Sequence, residues 1–281
     1  MPKLMKPELA KQFLILSEGY HAWHDEFTSL TPPANGVPPV FDYIEKLDHR
    51  LFECHIEEAA AVIVEPVITD YSNERIAWLR RLRDLCTKFD TVLIFDETIT
   101  ALRFPNLSVA NWCGVRPDIT IMGKALGAGF PLSVVGGNKD IMDSDYFVSS
   151  TFAGDTISMK ASMALLDILK GEGIVDRMWL DGEKFVTEFN KINPEIIYLE
   201  AYPTRGVFKA KDELTKALFM QLCIKAGVLF HPTSWFWHYK MNEESFDVLE
   251  ICRAAVHLIE HNQVELEGEI PVQPFSQKVR E

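Results

Sequence analysis

Ala59-Ala60-Ala61-Val62-Ile63-Val64, then Asn73 to Phe89, then Val92-Leu93-Ile94-Phe95-Asp96-Glu97 read as strand, helix, strand. Both apolar runs are short and almost unbroken, which suits strands buried on two faces. Between them Ile76, Leu79, Leu82, Leu85 and Cys86 recur at helical spacing. Asn73 is the expected N-cap, and Glu74 stands in the first turn, where the helix dipole favours an acid. A βαβ unit implies an α/β core with a mostly parallel sheet and covering helices. Ile119-Thr120-Ile121-Met122 adds a third strand, and Leu132-Ser133-Val134-Val135, ending at Gly136-Gly137, a fourth.

Beyond Gly154 the pattern changes. Ile157, Met159, Ala164, Leu165 and Ile168 predict a largely buried helix over Asp155 to Lys170, which Gly171-Glu172-Gly173 ends or bends. After it come helices near Asp176 to Lys191, Leu214 to Ala226 and Phe246 to His261. Strand-like pieces fall near Ile196 to Leu199, Gly206 to Phe208 and Val228 to Phe230, and the tail from Glu265 is irregular. The expected division is a large domain over 1–170 and a smaller α+β domain over 171–281.

Composition narrows the function classes. With 28 basic and 41 acidic residues the net charge is −13, which argues against nucleic acid or an anionic membrane as main partner. No apolar stretch approaches a membrane span, and the N-terminal residues have no signal-peptide core. The five cysteines are scattered without CxxC spacing, so buried thiols in a reducing, cytoplasmic setting are expected. His21 with His24, or Cys54 with His55, lacks the further ligands a metal centre needs, so no metal is expected.

Two residues carry chemistry. Lys124 follows a short apolar run and stands among small residues in Gly123-Lys124-Ala125-Leu126-Gly127-Ala128-Gly129. Small residues allow close approach of backbone and cofactor, and an apolar setting would make the amine nucleophilic. Asp96 ends a buried strand twenty-eight residues earlier. An aspartate for the pyridinium nitrogen and a lysine for the aldehyde are the two halves of a pyridoxal 5′-phosphate (PLP) site. A nucleotide P-loop is excluded, because Ala125 stands where Ser or Thr is needed and Asp118 where glycine is needed.

The order of motifs resembles class III PLP-dependent aminotransferases, and glutamate-1-semialdehyde 2,1-aminomutase-like members most closely. The matching segments are Glu18 to Trp23, Val62 to Val67, Leu93 to Arg103, Arg116 to Ile119, Gly123 to Pro131 and Ser150 to Asp155. The resemblance implies a fold type I (aspartate aminotransferase-like) chain acting as an aminotransferase or aminomutase on a small amino or keto compound. It implies that Lys124 forms the Schiff base and shuttles the proton, and that Asp96 keeps the ring nitrogen protonated. Tyr20, beside His21, falls where an aromatic ring covers one cofactor face, with core packing as the alternative. Thr98 would lie under the other face, where relatives usually carry valine. Asp70 matches a position near the cofactor's phenolic oxygen, and Glu65 lies in the same loop. Ser150 and Thr151 match the segment reaching a neighbouring subunit's cofactor phosphate, which requires a dimer. Arg103 is either a structural salt bridge or a substrate contact, and Arg205 is a candidate carboxylate clamp. Trp235-Phe236-Trp237-His238-Tyr239 is either core packing or a wall of the substrate pocket.

Relatives carry well over a hundred residues before the motif that starts here at Glu18, including the helix N-terminus that cradles the phosphate. The expected large domain is therefore incomplete. Three readings remain open: one part of a split enzyme completed by another chain as a hetero-oligomer, a shortened non-catalytic binding subunit, or a truncated product.

Overall fold

The computed structural model describes residues 12–16, 20–21, 44–47, 55–143, 149, 151–231 and 234–271, with backbone alone for 12–16, 44–47, 58 and 242–246. The chain divides into two compact units, one ending at Val175 and the other beginning at Asp176.

In the first unit β1 (Gln12–Leu16), β2 (Ile44–Leu47), β3 (Ala59–Val64), β4 (Val92–Asp96), β5 (Ile119–Met122) and β6 (Val134–Gly137) form one sheet in the order β2-β1-β3-β4-β5-β6. All neighbours are parallel except β6, which runs antiparallel to β5. Every residue of β3 is buried, as a central strand covered on both faces must be. Helix α1 (Asn73–Lys88) connects β3 to β4 and buries Leu79, Leu82 and Cys86 along one stripe, each burial stabilising by about 2 kcal/mol. Its N-cap is Ser72, not Asn73: the Ser72 hydroxyl accepts from Arg75 N at 3.2 Å. The shorter serine one residue earlier reaches the orphan amide.

Asp118 pins the start of β5 to β4. Its Oδ2 accepts from Leu93 N at 2.8 Å and from Arg83 Nη1 at 2.7 Å, and its own N–H donates to the Leu93 carbonyl. The fourth expected strand differs from expectation. It begins at Val134 and runs through both glycines instead of ending at them, and it is exposed along its length. A Cβ on Gly137 would lie 2.5 Å from the Asp118 carbonyl oxygen, so only glycine lets β6 come this close. On β5 every residue is partly exposed, against the expectation of burial on both faces.

Two short helices, α2 (Val109–Cys113) and α3 (Lys139–Met142), precede α4 (Thr156–Glu172). Asp155, expected as the first helical residue, is instead the N-cap of α4, and the helix is not largely buried. Ser158 and Ser162 face inward, while Ile157 (64% exposed), Met159, Met163 and Ile168 face out.

The second unit comprises α5 (Ile174–Asn190), whose first two residues belong to the first, then β7 (Ile197–Tyr202), β8 (Arg205–Ala210), α6 (Glu213–Lys225), β9 (Trp235–Phe236) and α7 (Met241–Glu260). β7 and β8 form an antiparallel hairpin closed by Pro203-Thr204, and β9 pairs with β8. Val228 to Phe230 is not the third strand: Leu229 is 83% exposed there, and β9 takes that place. Trp235 and Trp237 are buried among Phe185, Phe189, Phe208 and Phe219, so these two are core packing, whereas His238 and Tyr239 are exposed. A Cβ on Gly182 would lie 1.9 Å from the Pro203 carbonyl oxygen; the missing side chain lets α5 lie against the hairpin turn. No helix among the described residues is long and apolar enough to cross a membrane.

Candidate active site

Four parallel strands deliver the candidate residues to one edge of the sheet. Tyr20 and His21 follow β1, Glu65 follows β3, Asp96 ends β4, and Lys124 follows β5. β2 and β3 flank β1 on opposite sides, so the order reverses at β1/β3. Ligands of open α/β sheets bind outside the carboxyl ends of strands at such a reversal.

Asp96 is the centre of the arrangement. Its side chain is buried, and Oδ2 accepts from His21 Nδ1 at 2.8 Å. A carboxylate only accepts here, so His21 Nδ1 carries the proton. Oδ1 accepts from the Thr98 backbone N–H at 3.0 Å and from the Thr98 hydroxyl at 2.5 Å. Burial pushes the Asp96 carboxyl up; the hydrogen bonds from His21 and Thr98 and the nearby His21 charge together outweigh it, leaving the acid below its ordinary value. Thr98, where a valine would leave Oδ1 with one donor fewer, thus finds the partner its hydroxyl needs.

Lys124 follows at the end of the neighbouring strand. Glu97 N donates to the Ile121 carbonyl at 2.8 Å, tying the end of β4 to β5. A Cβ on Gly123 would stand 3.4 Å from Thr98 Cγ2, so the residue before Lys124 touches the one that holds Asp96. Lys124 has φ +46°, a left-handed conformation that costs a non-glycine residue about 1–3 kcal/mol. It is exposed, contrary to the apolar enclosure expected from its small neighbours. The reason is its place at the open end of β5, where the chain leaves the sheet.

Glu65 is buried, and its Oε1 accepts from Tyr20 N at 2.7 Å. This bond holds the Tyr20-His21 pair over the sheet edge. The Tyr20 side chain is not packed in the core; the residue is 41% exposed. Asp70 Oδ1 accepts from Ser72 N at 2.9 Å, so its carboxylate is engaged at the start of α1. Ser150 lies outside the described residues, as do His24 and Cys54; Thr151 is exposed in the turn before α4. Arg205 is buried at the first position of β8, in the second unit.

Glu97, next to the site, has a structural task. It is fully buried and accepts from Val109 N at 2.7 Å, Ala110 N at 3.0 Å and the Thr100 hydroxyl. Burial pushes its pKa above the ordinary carboxylate value, against the pull of those donors. A cleft of 1540 Å³ lies elsewhere, with Thr120 and Met122 of β5 and Val134 and Gly136 of β6 in its floor. Its lining includes Glu97 but neither Asp96 nor Lys124.

The residues present fit the ring end of PLP: an ionised, buried carboxylate suits a protonated ring nitrogen, and a lysine on the next strand suits the aldehyde. Residues 16–234 match the family Aminotransferase class-III. The chain belongs to the class-III aminotransferase family. PLP is the family's cofactor. Two curated relatives are glutamate-1-semialdehyde 2,1-aminomutases. The one from Methanocella arvoryzae is 31% identical over 181 residues, 56% of this chain and 42% of that protein. The one from Haloquadratum walsbyi is 32% identical over 196 residues, 62% and 44% respectively. The matches therefore span less than half of each relative. Among solved structures, the ornithine aminotransferase of Toxoplasma gondii superposes with a TM-score of 0.78 at 22% identity, covering 93% of this chain and 67% of that one. An omega-transaminase from Sphaerobacter thermophilus gives 0.75 at 22%, covering 88% and 68%. The fold is that of the PLP-dependent fold type I transferases.

Proposed function

We propose that this class-III chain carries the ring end of a PLP site that moves an amino group between small amino and keto compounds, or within one such compound. The observation that carries this reading is the buried Asp96 carboxylate, held ionised by His21 and Thr98 beside the strand that delivers Lys124. Bound PLP supplies an electron sink for the carbanion formed at the substrate Cα. Lys124 would hold the cofactor by its aldehyde and, once released by the amino donor, carry the proton to and from Cα. Asp96 would keep the ring nitrogen protonated, and His21 would fix the Asp96 carboxylate. Tyr20 and Thr98 would bound the two ring faces. Glu65 would set the position of Tyr20 at the substrate side. Ser150 and Thr151 would donate to the cofactor phosphate of a neighbouring subunit, and Arg205 would clamp a substrate carboxylate.

Incubation with PLP, borohydride reduction and peptide mass spectrometry test this. The expected result is a phosphopyridoxyl group on Lys124 that is absent from Lys124→Ala. Folded protein with no adduct there, or with adducts spread over surface lysines, would overturn it. The remaining reading would then be a non-catalytic binding subunit, which the exposure of Lys124 favours.

We infer further that a polypeptide carrying the part of the class-III fold outside these alignments completes the site. Supporting this are the exposed valines Val134 and Val135 of β6, the open face of β5 and β6, and the outward apolar side of α4. Exposed apolar patches often mark interaction surfaces. Pairing of two copies of this chain is the competing arrangement.

A further inference from the structure

The last turn of α7 gathers a second group of reactive side chains, within the second unit. His257, Glu260 and His261 occupy positions i, i+3 and i+4, which share one helix face. One ligand atom from each lies within 4.8 Å of the other two, and all three residues are exposed. The imidazole centroids are 4.2 Å apart.

Two contacts prepare these side chains. His261 Nδ1 lies 2.8 Å from the His257 carbonyl oxygen. A carbonyl only accepts, so Nδ1 carries the proton, and in the neutral ring Nε2 presents its lone pair outward. Metal-binding histidines receive this preparation from backbone carbonyls. Glu260 Oε1 accepts from Asn193 Nδ2, which orients the carboxylate and leaves Oε2 available. The negative end of the helix dipole adds attraction for a cation.

We propose that His257, Glu260 and His261 form a binding site for a divalent transition-metal ion, with zinc the best fit. Two imidazole nitrogens and one carboxylate oxygen make three ligands of a tetrahedral set, and water takes the fourth position. Calcium and magnesium prefer all-oxygen sets and are disfavoured. Metal–nitrogen bonds of about 2.0–2.1 Å bring the donors closer than they stand, an adjustment that rotation of exposed side chains permits. Through Glu260 the ion would clip the end of α7 to the Asn193 turn. The Asn193 carbonyl in that turn accepts from Ile196 N and Ile197 N at the start of β7. The role is a structural clip within this unit, and it stands whether or not Lys124 binds PLP.

Zinc titration of the full chain against a chromophoric chelator, with cobalt absorption as a second readout, tests the proposal. The expected result is one ion per chain, with affinity lowered about tenfold or more in His257→Ala and His261→Ala. Asn193→Ala should weaken binding less, and His238→Ala not at all. His257→Ala and His261→Ala should keep the metal-free unfolding midpoint, because both side chains are exposed. Equal zinc affinity in the His257→Ala/His261→Ala double variant, or no binding below millimolar zinc, would overturn it.

Discussion

Asp96 shows what a single side chain must receive before it can serve a cofactor. Its charge survives burial because His21 and Thr98 supply three donors to it. The residue's folded pKa is lowered, so its contribution to stability is fully present above about pH 4, its unfolded value, and fades as pH falls through the folded value. Asp96→Asn should remove that acid limb. In urea unfolding, the free-energy gap between wild type and variant should stay level from about pH 5 to 7 and shrink below about pH 4; a gap unchanged by acid would refute the assignment. At this scale the sequence was legible where residue type limits chemistry, as at Lys124 and Asp96. It was silent on His21 as the partner of Asp96, because seventy-five residues separate them. The outward opening of Lys124 was equally hidden, since small neighbours suggest a close fit without saying what stands over them. The spacing 257, 260, 261 falls within the helix expected near Phe246 to His261, so the shared face of these three side chains is legible in the sequence.

Helix α4 is the clearest case at the scale of elements. Its existence follows from local residues, but the direction it faces does not. Periodicity locates an apolar side; which side turns inward depends on what lies beneath, and here Ser158 and Ser162 occupy the inner face. If that outer side is a docking surface and not part of this chain's own core, Ile157→Glu and Met163→Glu should change the stability of the isolated chain by less than about 0.5 kcal/mol. Core positions would lose about 2–5 kcal/mol on truncation. The same variants should abolish association with a completing polypeptide in co-purification, and a large fall in unfolding temperature would sink the idea. Strand β3 and helix α1 were read with little error because burial on both faces and helical spacing leave few alternatives. β6 was misread at its end because glycine ordinarily breaks strands, whereas here close approach to Asp118 demands it.

Taken whole, the chain joins two units of opposite connectivity. The parallel sheet pairs β1 with β3 and β3 with β4 only after intervening chain has been laid down. By contrast, the β7–β8 hairpin closes through the two residues Pro203-Thr204. Contacts near in sequence form sooner than those that must first close long loops. That hairpin, with Phe189, Phe208 and Phe219 packing behind it, therefore makes the C-terminal unit the early-folding partner. During refolding from urea, pulse-labelled amides of Leu199 and Phe208 should become protected before those of Ile63 and Leu93, and simultaneous protection would contradict this. The two-residue turn beside Gly182 thus sets a tempo: the half of the chain without Lys124 would be in place while the half that carries it is still searching.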